Sequence, residues 1–343
     1  MFVLREADPR DIDDLFELAG MATFINLPRD RGLLAKKVAK SVQSFRGKLK
    51  DSREAEYLFV LEDRSLGKII GTSMIVGQHG TPDEPHTYFM VLPKRKISKS
   101  LHMGFLHQVL RLGFDYDGPT EFGGLVLKNE YRSHPEKLGL LLSFLRFAYV
   151  AARRPQFRDE ILCELMPPFN ERGESPIWEG IGRKFTNLRY DEADRLSRRN
   201  KEFITSLFPE GDIYTCMLDA EAREAIGQVG PETQGVKRML ESIGFRYRNM
   251  IDPFDGGPHY WVKTDRADPL RRTRRVRKSA RKEAKDFAET EGLLLNFSKR
   301  GLRAARVSLR LKGAEFVASP EVEAELGIEE TTECYFLELK ATP

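Results

Sequence analysis

Cysteine is scarce in this 343-residue chain. Cys163, Cys216 and Cys334 are the three present, far apart and with no Cys-x-x-Cys pair. That spacing builds neither a zinc ribbon nor a disulfide framework, so no metal is expected. Long apolar runs are also missing: none reaches the ~18 residues a membrane span needs. Arg5, Glu6, Asp8 and Arg10 interrupt the first ten residues, unlike the apolar stretch of a secretory leader. The expectation is a cytoplasmic chain with no membrane contact. Charge of one sign is absent as well. The 56 Lys and Arg against 52 Asp and Glu leave +4, too little for a global field toward nucleic acid. No Gly-x4-Gly-Lys-Ser/Thr loop occurs, and Gly180-x-Gly182 lacks both a preceding strand and a third glycine.

What is present is enough hydrocarbon for a core, 41% apolar residues beside 31% charged ones. At ~150 residues per domain the length suggests about two domains. The charge balance conceals a local asymmetry. Arg271 to Lys285 holds nine basic residues and one acid, whereas Glu315 to Glu338 holds eight acids and no base. A basic solvated helix face complementing the acidic stretch, in cis or in a neighbouring subunit, is the reading preferred over a nucleic-acid surface. Single-strand binders need interleaved aromatics that the basic run lacks.

Along the chain, Phe2–Leu4 reads as a strand. Ile12, Leu15, Phe16 and Ala19, then Leu34, Val38, Val42, Phe45 and Leu49, recur at helical spacing. Tyr57–Leu61 and Lys68–Val76 read as a hairpin, and Tyr88–Leu92 as a strand stopped by Pro93. Phe122–Leu127 is a strand, followed by the polar loop Lys128–Lys137. Gly139–Val150 is apolar on nearly every side and is therefore a buried helix, and Glu160–Leu165 is the next strand. Ile177–Phe185 and Met239–Phe245 both read as a helix stopped by glycine. Arg246–Ile251 and His259–Lys263 flank the turn Asp255-Gly-Gly-Pro258. The tail reads as a basic helix-like stretch, a strand at Val307–Leu311, a helix from Ser319-Pro320 to Gly327, and a strand at Tyr335–Leu339.

The strand–loop–helix Leu125–Leu142 is the best functional candidate. A helix N-terminus offers unpaired N–H groups and the positive end of its dipole, which suits a pyrophosphate. An ordinary crossover explains the same pattern equally well.

Longer motifs settle a direction. Tyr57–Asp63, Tyr131-Arg132, Gly139-x-Leu-Leu-Ser143, Ser175-Pro-x-Trp178, Ala193-Asp194 and Ile213-Tyr-Thr215 occur in order. So do Ile226-Gly-Gln-Val229, Gly244–Asn249 and Phe254-Asp-Gly-Gly-Pro258. From about Phe2 to Thr264 the chain resembles the bacterial arginine N-succinyltransferases. That resemblance implies an α/β (α+β) GNAT-like acyl-CoA N-acyltransferase fold, a mixed sheet flanked by helices. The expected body is 1–265, divisible into halves of about 1–190 and 191–265. A small β-rich C-terminal appendage, 266–343, would bury Phe297, Val307, Leu309 and Phe336 on docking and be removable without loss of CoA binding.

The implied reaction moves a succinyl group from succinyl-CoA to the α-amine of L-arginine, in arginine catabolism. The chemistry agrees, because a guanidinium stays protonated while an α-amine near pKa ~8 is readily freed. Leu125, Leu127, Arg132, Lys137 and Gly139 are the residues expected to hold CoA. Asp194, Asp252 and Asp255 are the carboxylates for a guanidinium; for Asp255 a plain turn role is the alternative. Two departures stand out. The phosphate loop Arg132–Gly139 is two residues longer than the family's, without its middle glycine. The proton-donor histidine position is Gly230, and the glycine-rich patch is replaced by Ala22–Asn26. His259, Tyr214 and Glu164 are the candidates to replace that histidine. A different amine acceptor, or a non-catalytic relative, is the alternative function. A homo- or hetero-oligomer is expected.

Overall fold

The computed structural model describes residues 1–21, 27–197, 201–280 and 286–339. The Ala22–Asn26 patch and the end of the basic run, 281–285, lie outside them. The chain opens with β1 (Phe2–Glu6), α1 (Ile12–Ala19), α2 (Arg31–Phe45), β2 (Glu56–Asp63) and β3 (Lys68–Val76). The long strands β4 (His86–Ser98) and β5 (Met103–Asp115) follow, then β6 (Thr120–Leu127), α3 (Leu138–Ala152) and β7 (Glu160–Glu164). Next come α4 (Arg183–Thr186), α5 (Tyr190–Ser197), α6 (Glu202–Leu207), β8 (Ile213–Tyr214), α7 (Ala220–Ala225) and α8 (Gln234–Ser242). β9 (Arg246–Ile251), β10 (Pro258–Lys263) and α9 (Asp268–Arg272) lead into β11 (Thr273–Lys278), β12 (Ala288–Ser298) and β13 (Gly301–Lys312). β14 (Glu315–Val317), α10 (Pro320–Leu326) and β15 (Glu333–Glu338) end the described chain.

Two compact units emerge. One comprises Met1–Gln78, Thr120–Asp159 and Lys263–Pro343; the other His79–Pro119 and Glu160–Val262. This divides the chain elsewhere than at 265/266 or 190/191. In the first unit the strands run β12-β15-β11-β14-β13-β1-β2-β3-β6. β1 is the reason the tail is no appendage: it pairs with β2 on one side and with β13 on the other, Leu4 opposite Ala304. The Glu6 carboxylate accepts from the Leu302 backbone N–H at 2.8 Å. Val307, Leu309 and Phe336 are buried as expected, while Phe297 is half-buried against Tyr149 and the Arg153 guanidinium.

The part of the basic run at Thr273–Lys278 is not a helix face but a strand between β14 and β15, with Val276 buried and Arg274, Arg275 and Arg277 exposed. Its charges do meet the acidic stretch in cis: Arg277 with Glu315 at 2.7 Å, Lys278 with Glu323 at 2.7 Å. Exposed pairs of this kind contribute little each, about 0–1 kcal/mol.

The second unit orders its strands β7-β10-β9-β4-β5-β8. β4 does not stop at Pro93. It pairs with β5 along its whole length but with β9 only around Phe89 and Met90, so the N–H that proline lacks has no second ladder to serve. Trp178, Phe89, Phe208, Tyr190 and Phe254 form the aromatic core under the short helices. The expected glycine stop at Gly182 is absent. The helix widens into a π-turn at Trp178–Gly182 and continues through α4 to the left-handed Asn187.

Removing 268–343 takes away the strand partner of β1 and half of the first unit's sheet. Truncation is therefore expected to abolish that unit's cooperative unfolding, read by circular dichroism on heating. A soluble truncate with an unchanged transition would contradict this.

Candidate functional site

The first unit builds a cradle at the start of α3. β6 carries a bulge: Val126 faces Thr72 and Gly123 faces Met74, so Gly124 and Leu125 together oppose Ser73. Gly124 takes the left-handed φ of +57° that this kink requires. A bulge leaves its extra residue out of the ladder, which frees backbone groups beside Leu125 for a ligand amide. Leu125 is half-buried and Leu127 buried.

The longer loop closes on itself through Tyr131 N–H to Lys128 O, His134 N–H to Tyr131 O and Lys137 N–H to His134 O. The His134 ring packs edge-on against Phe2 at 4.9 Å. Lys137 is left-handed (φ +53°) at the N-cap, with no side-chain cap of its own on α3. The first-turn amides of a helix lack intrahelical partners. They open onto a pocket of about 380 Å³ lined by Arg132, His134, Lys137, Gly139 and Leu140, among others. A Cβ on Gly139 would meet only Leu127 Cδ2 at 3.8 Å, so packing does not demand glycine there.

The second unit gathers a polar cluster. Glu164 ends β7, His259 lies in an irregular register of β10, and Asp252 and Asp255 form the β9–β10 turn. His259 Nε2 is 3.3 Å and His86 Nε2 3.8 Å from Glu164 Oε1, with both imidazoles buried. Lys201 Nζ stands 3.8 Å from Asp252 Oδ2. Asp252 Oδ1 accepts from the N–H groups of Phe254 and Asp255, and Asp255 Oδ1 from that of Gly257. Burial, then the His79, His259 and Lys201 charges, hold the His86 pKa well below the usual histidine range. Burial, then the neighbouring Asp252 charge, push the Asp255 carboxyl well above the usual carboxylate range. Thus His259, Glu164, Asp252 and Asp255 come together here.

The other expected residues do not. Tyr214 pairs with Val109 at the β5–β8 edge, with His107 and Lys94 as its ring neighbours. Asp194 is buried on α5 and is not among the side chains whose ligand atoms converge on Glu164. His79, His86 and Lys201 were given no role from sequence. Only His79 and His86, bracketing one short loop, carried any local signal.

Gly230 is closed to any side chain. Its N–H donates to Met166 O at 2.8 Å, and a Cβ there would stand 2.5 Å from Pro167 O and 3.0 Å from Pro167 C. Restoring histidine at this position, attractive from the sequence, would force backbone to move. Gly230→His and Gly230→Ala are both expected to destabilise by about 1–3 kcal/mol, as overpacking does, and neither to raise activity. Urea unfolding checks the first and steady-state kinetics the second.

The raised Asp255 carboxyl carries a pH signature. The unfolded chain gives up this proton near ~3.9 while the folded chain keeps it. Stability is full below that value and falls as pH rises toward the folded value. Asp255→Asn is expected to flatten that fall in melting temperature from about pH 4 upward. An unchanged slope would refute the assignment.

Comparison with known proteins is consistent with this geometry. The family model for the arginine N-succinyltransferase beta subunit matches residues 2–269. The arginine N-succinyltransferases of Citrobacter koseri and of an Escherichia coli strain are each 35% identical to this chain, over 277 and 279 residues. Each match covers 80% of this chain, and 79% and 80% of theirs. The structure of arginine/ornithine succinyltransferase subunit AI from Pseudomonas aeruginosa superposes with a TM-score of 0.86 at 28% identity, covering 99% of both chains. That coverage takes in the C-terminal strands that the family model leaves out. The mixed sheet with flanking helices, the motifs from Tyr57 to Pro258 and these matches agree: the chain belongs to the arginine N-succinyltransferase family of acyltransferases.

Proposed function

We propose that this chain transfers a succinyl group from succinyl-CoA to the α-amino group of L-arginine, as part of arginine catabolism. The observation that carries the reading is the convergence of Arg132, Lys137 and Gly139 on one pocket at the N-terminus of α3. The CoA pyrophosphate would rest there on first-turn amides and two cations. The pantetheine amides would pair with backbone at the bulged strand beside Leu125 and Leu127. In the reaction the amine nitrogen bonds to the thioester carbonyl carbon, the C–S bond breaks, and CoA leaves as a thiolate that takes up a proton. His259, held 3.3 Å from Glu164, is assigned to remove the amine proton, with Glu164 stabilising the imidazolium. Tyr214 is kept as the candidate to protonate the thiolate, and Tyr214→Phe tests it. Asp252 and Asp255 are assigned to the guanidinium; Asp194, buried on α5 outside that cluster, is not. The arriving cation supplies the countercharge that Asp255 lacks, so binding is expected to release a proton from it.

The closed Gly230 position favours one second reading, in which the fold and CoA site are kept but a different amine is acylated. A panel of amine acceptors with succinyl-CoA separates the two. A chain that binds CoA and acylates nothing would be a non-catalytic relative. An oligomer, homo- or hetero-, belongs to the same proposal. It is supported by the exposed apolar end of the β4–β5 hairpin, where Ile97, Leu101, Phe105 and Leu106 are more than half exposed. Among the described residues no helix is long and apolar enough to cross a membrane. That is compatible with the proposed cytoplasmic setting.

CoA is expected to raise the melting temperature, by about 2.7 kcal/mol of stabilisation at 100 times its Kd. Arg132→Ala and Lys137→Ala are each expected to weaken CoA about tenfold, in line with ~1.5–3 kcal/mol for a charged hydrogen bond. The check is calorimetry at two salt concentrations. No thermal shift at millimolar CoA would remove the acyltransferase reading.

A further inference from the structure

The polar cluster of the second unit also contains two imidazoles that acyl transfer leaves unused, beside the Glu164 carboxylate that it does use. His79, His86 and Glu164 each offer one ligand atom, and these atoms all lie within 4.8 Å of one another. Two imidazoles and a carboxylate are the donor set of zinc sites that keep a coordination position open. With bonds of about 2.0–2.1 Å, neighbouring ligands of a tetrahedral ion stand roughly 3.4 Å apart. His86 Nε2 and Glu164 Oε1 are 3.8 Å apart before any ion has drawn them in.

His86 is the telling residue. It is 2% exposed, and neither of its ring nitrogens has a hydrogen-bond partner among the described residues. A buried polar group without a partner calls for an explanation, and a bound ion is one. The loop that presents it is wound tightly. Gly80, at φ +104°, has no room for a Cβ, which would meet Asp115 O at 2.5 Å and His86 Cβ at 2.8 Å. His79 N–H to Pro119 O, Gly118 N–H to Gly80 O and Thr81 N–H to Glu84 O pin both ends of the turn. The two imidazoles thus meet edge to face, 4.6 Å between ring centres, on a braced scaffold. The other charges facing the group are Lys201, already paired with Asp252, and the His259 ring against Glu164.

We propose that His79, His86 and Glu164 bind one divalent transition-metal ion of the zinc type, with water completing its coordination. Sequence spacing could not show this, because the carboxylate arrives from a strand far along the chain. Glu164 is shared with the proposed acyl transfer while His79 and His86 are not, and metal binding is read without any turnover, so failure of this site and failure of the acyltransferase reading are distinguishable.

The probe is Co²⁺, added to the chelator-stripped full chain and then displaced by Zn²⁺. One Co²⁺ per chain is expected, with intense visible bands of a tetrahedral nitrogen and oxygen site and no thiolate charge-transfer band. Exposed Cys216, 3.8 Å from His107 Nδ1, is the competing surface pair, so Cys216→Ser should change nothing. His86→Ala should weaken binding at least tenfold. His86→Gln, which keeps polar bulk, should do the same with a native far-UV spectrum, separating ligand loss from misfolding. Absence of stoichiometric Co²⁺, binding undiminished in both His86 variants, or binding lost in Cys216→Ser would each overturn the proposal.

Discussion

A helix that is apolar on nearly every side must lie inside the protein, and α3 is that helix. Leu141, Leu142, Leu145, Phe147, Ala148 and Val150 are all within 1% of full burial. The helix packs against β3, β6, α9 and β11. Arg146, buried on the same helix, donates to Ser143 Oγ and lies over the Phe122 ring, so even the polar residues of α3 are satisfied inward. Once its flanks are fixed, its N-terminus has one place to point. Lys137 spends a left-handed conformation to start the helix there and leaves it uncapped by its own side chain. The helix start beside Arg132 and Lys137, open onto its pocket, thus follows from core packing.

The second unit works by the opposite principle. It keeps titratable groups under cover and lets each change its neighbour's protonation. The β9–β10 turn is tied to the aromatic core through Ser175, whose hydroxyl donates to Asp255 O while its oxygen accepts from Trp178 N–H. A Cβ on Gly257 would stand 2.6 Å from Leu165 O, so the turn can be made only with glycine. Asp255 is therefore a turn former and also a half-buried acid whose carboxyl is held above the usual carboxylate range by desolvation and the Asp252 charge.

The departure at Gly230 has a physical meaning. Here the chain passes so close to Pro167 that no side chain fits without moving backbone, while His259 and Glu164 sit together on β10 and β7.

Sequence alone determined whatever depends on local pattern. The buried helix, the strand before it and the Ser319–Gly327 capped helix all follow from periodicity and caps. Glu164, His259, Asp252 and Asp255, singled out in the sequence, lie together in the second unit. Tertiary structure alone decided what depends on chain segments distant in sequence. Pro93 sits inside a strand because only one ladder runs past it. The tail belongs to the first unit because β1 has two edges to fill, and Thr273–Lys278 of the basic run is a strand because β14 and β15 flank it. His86 acquires its place from Glu164, a residue on another strand. Side-chain chemistry can be read from a sequence, but its neighbours are set by packing across the sheet, and packing has no period.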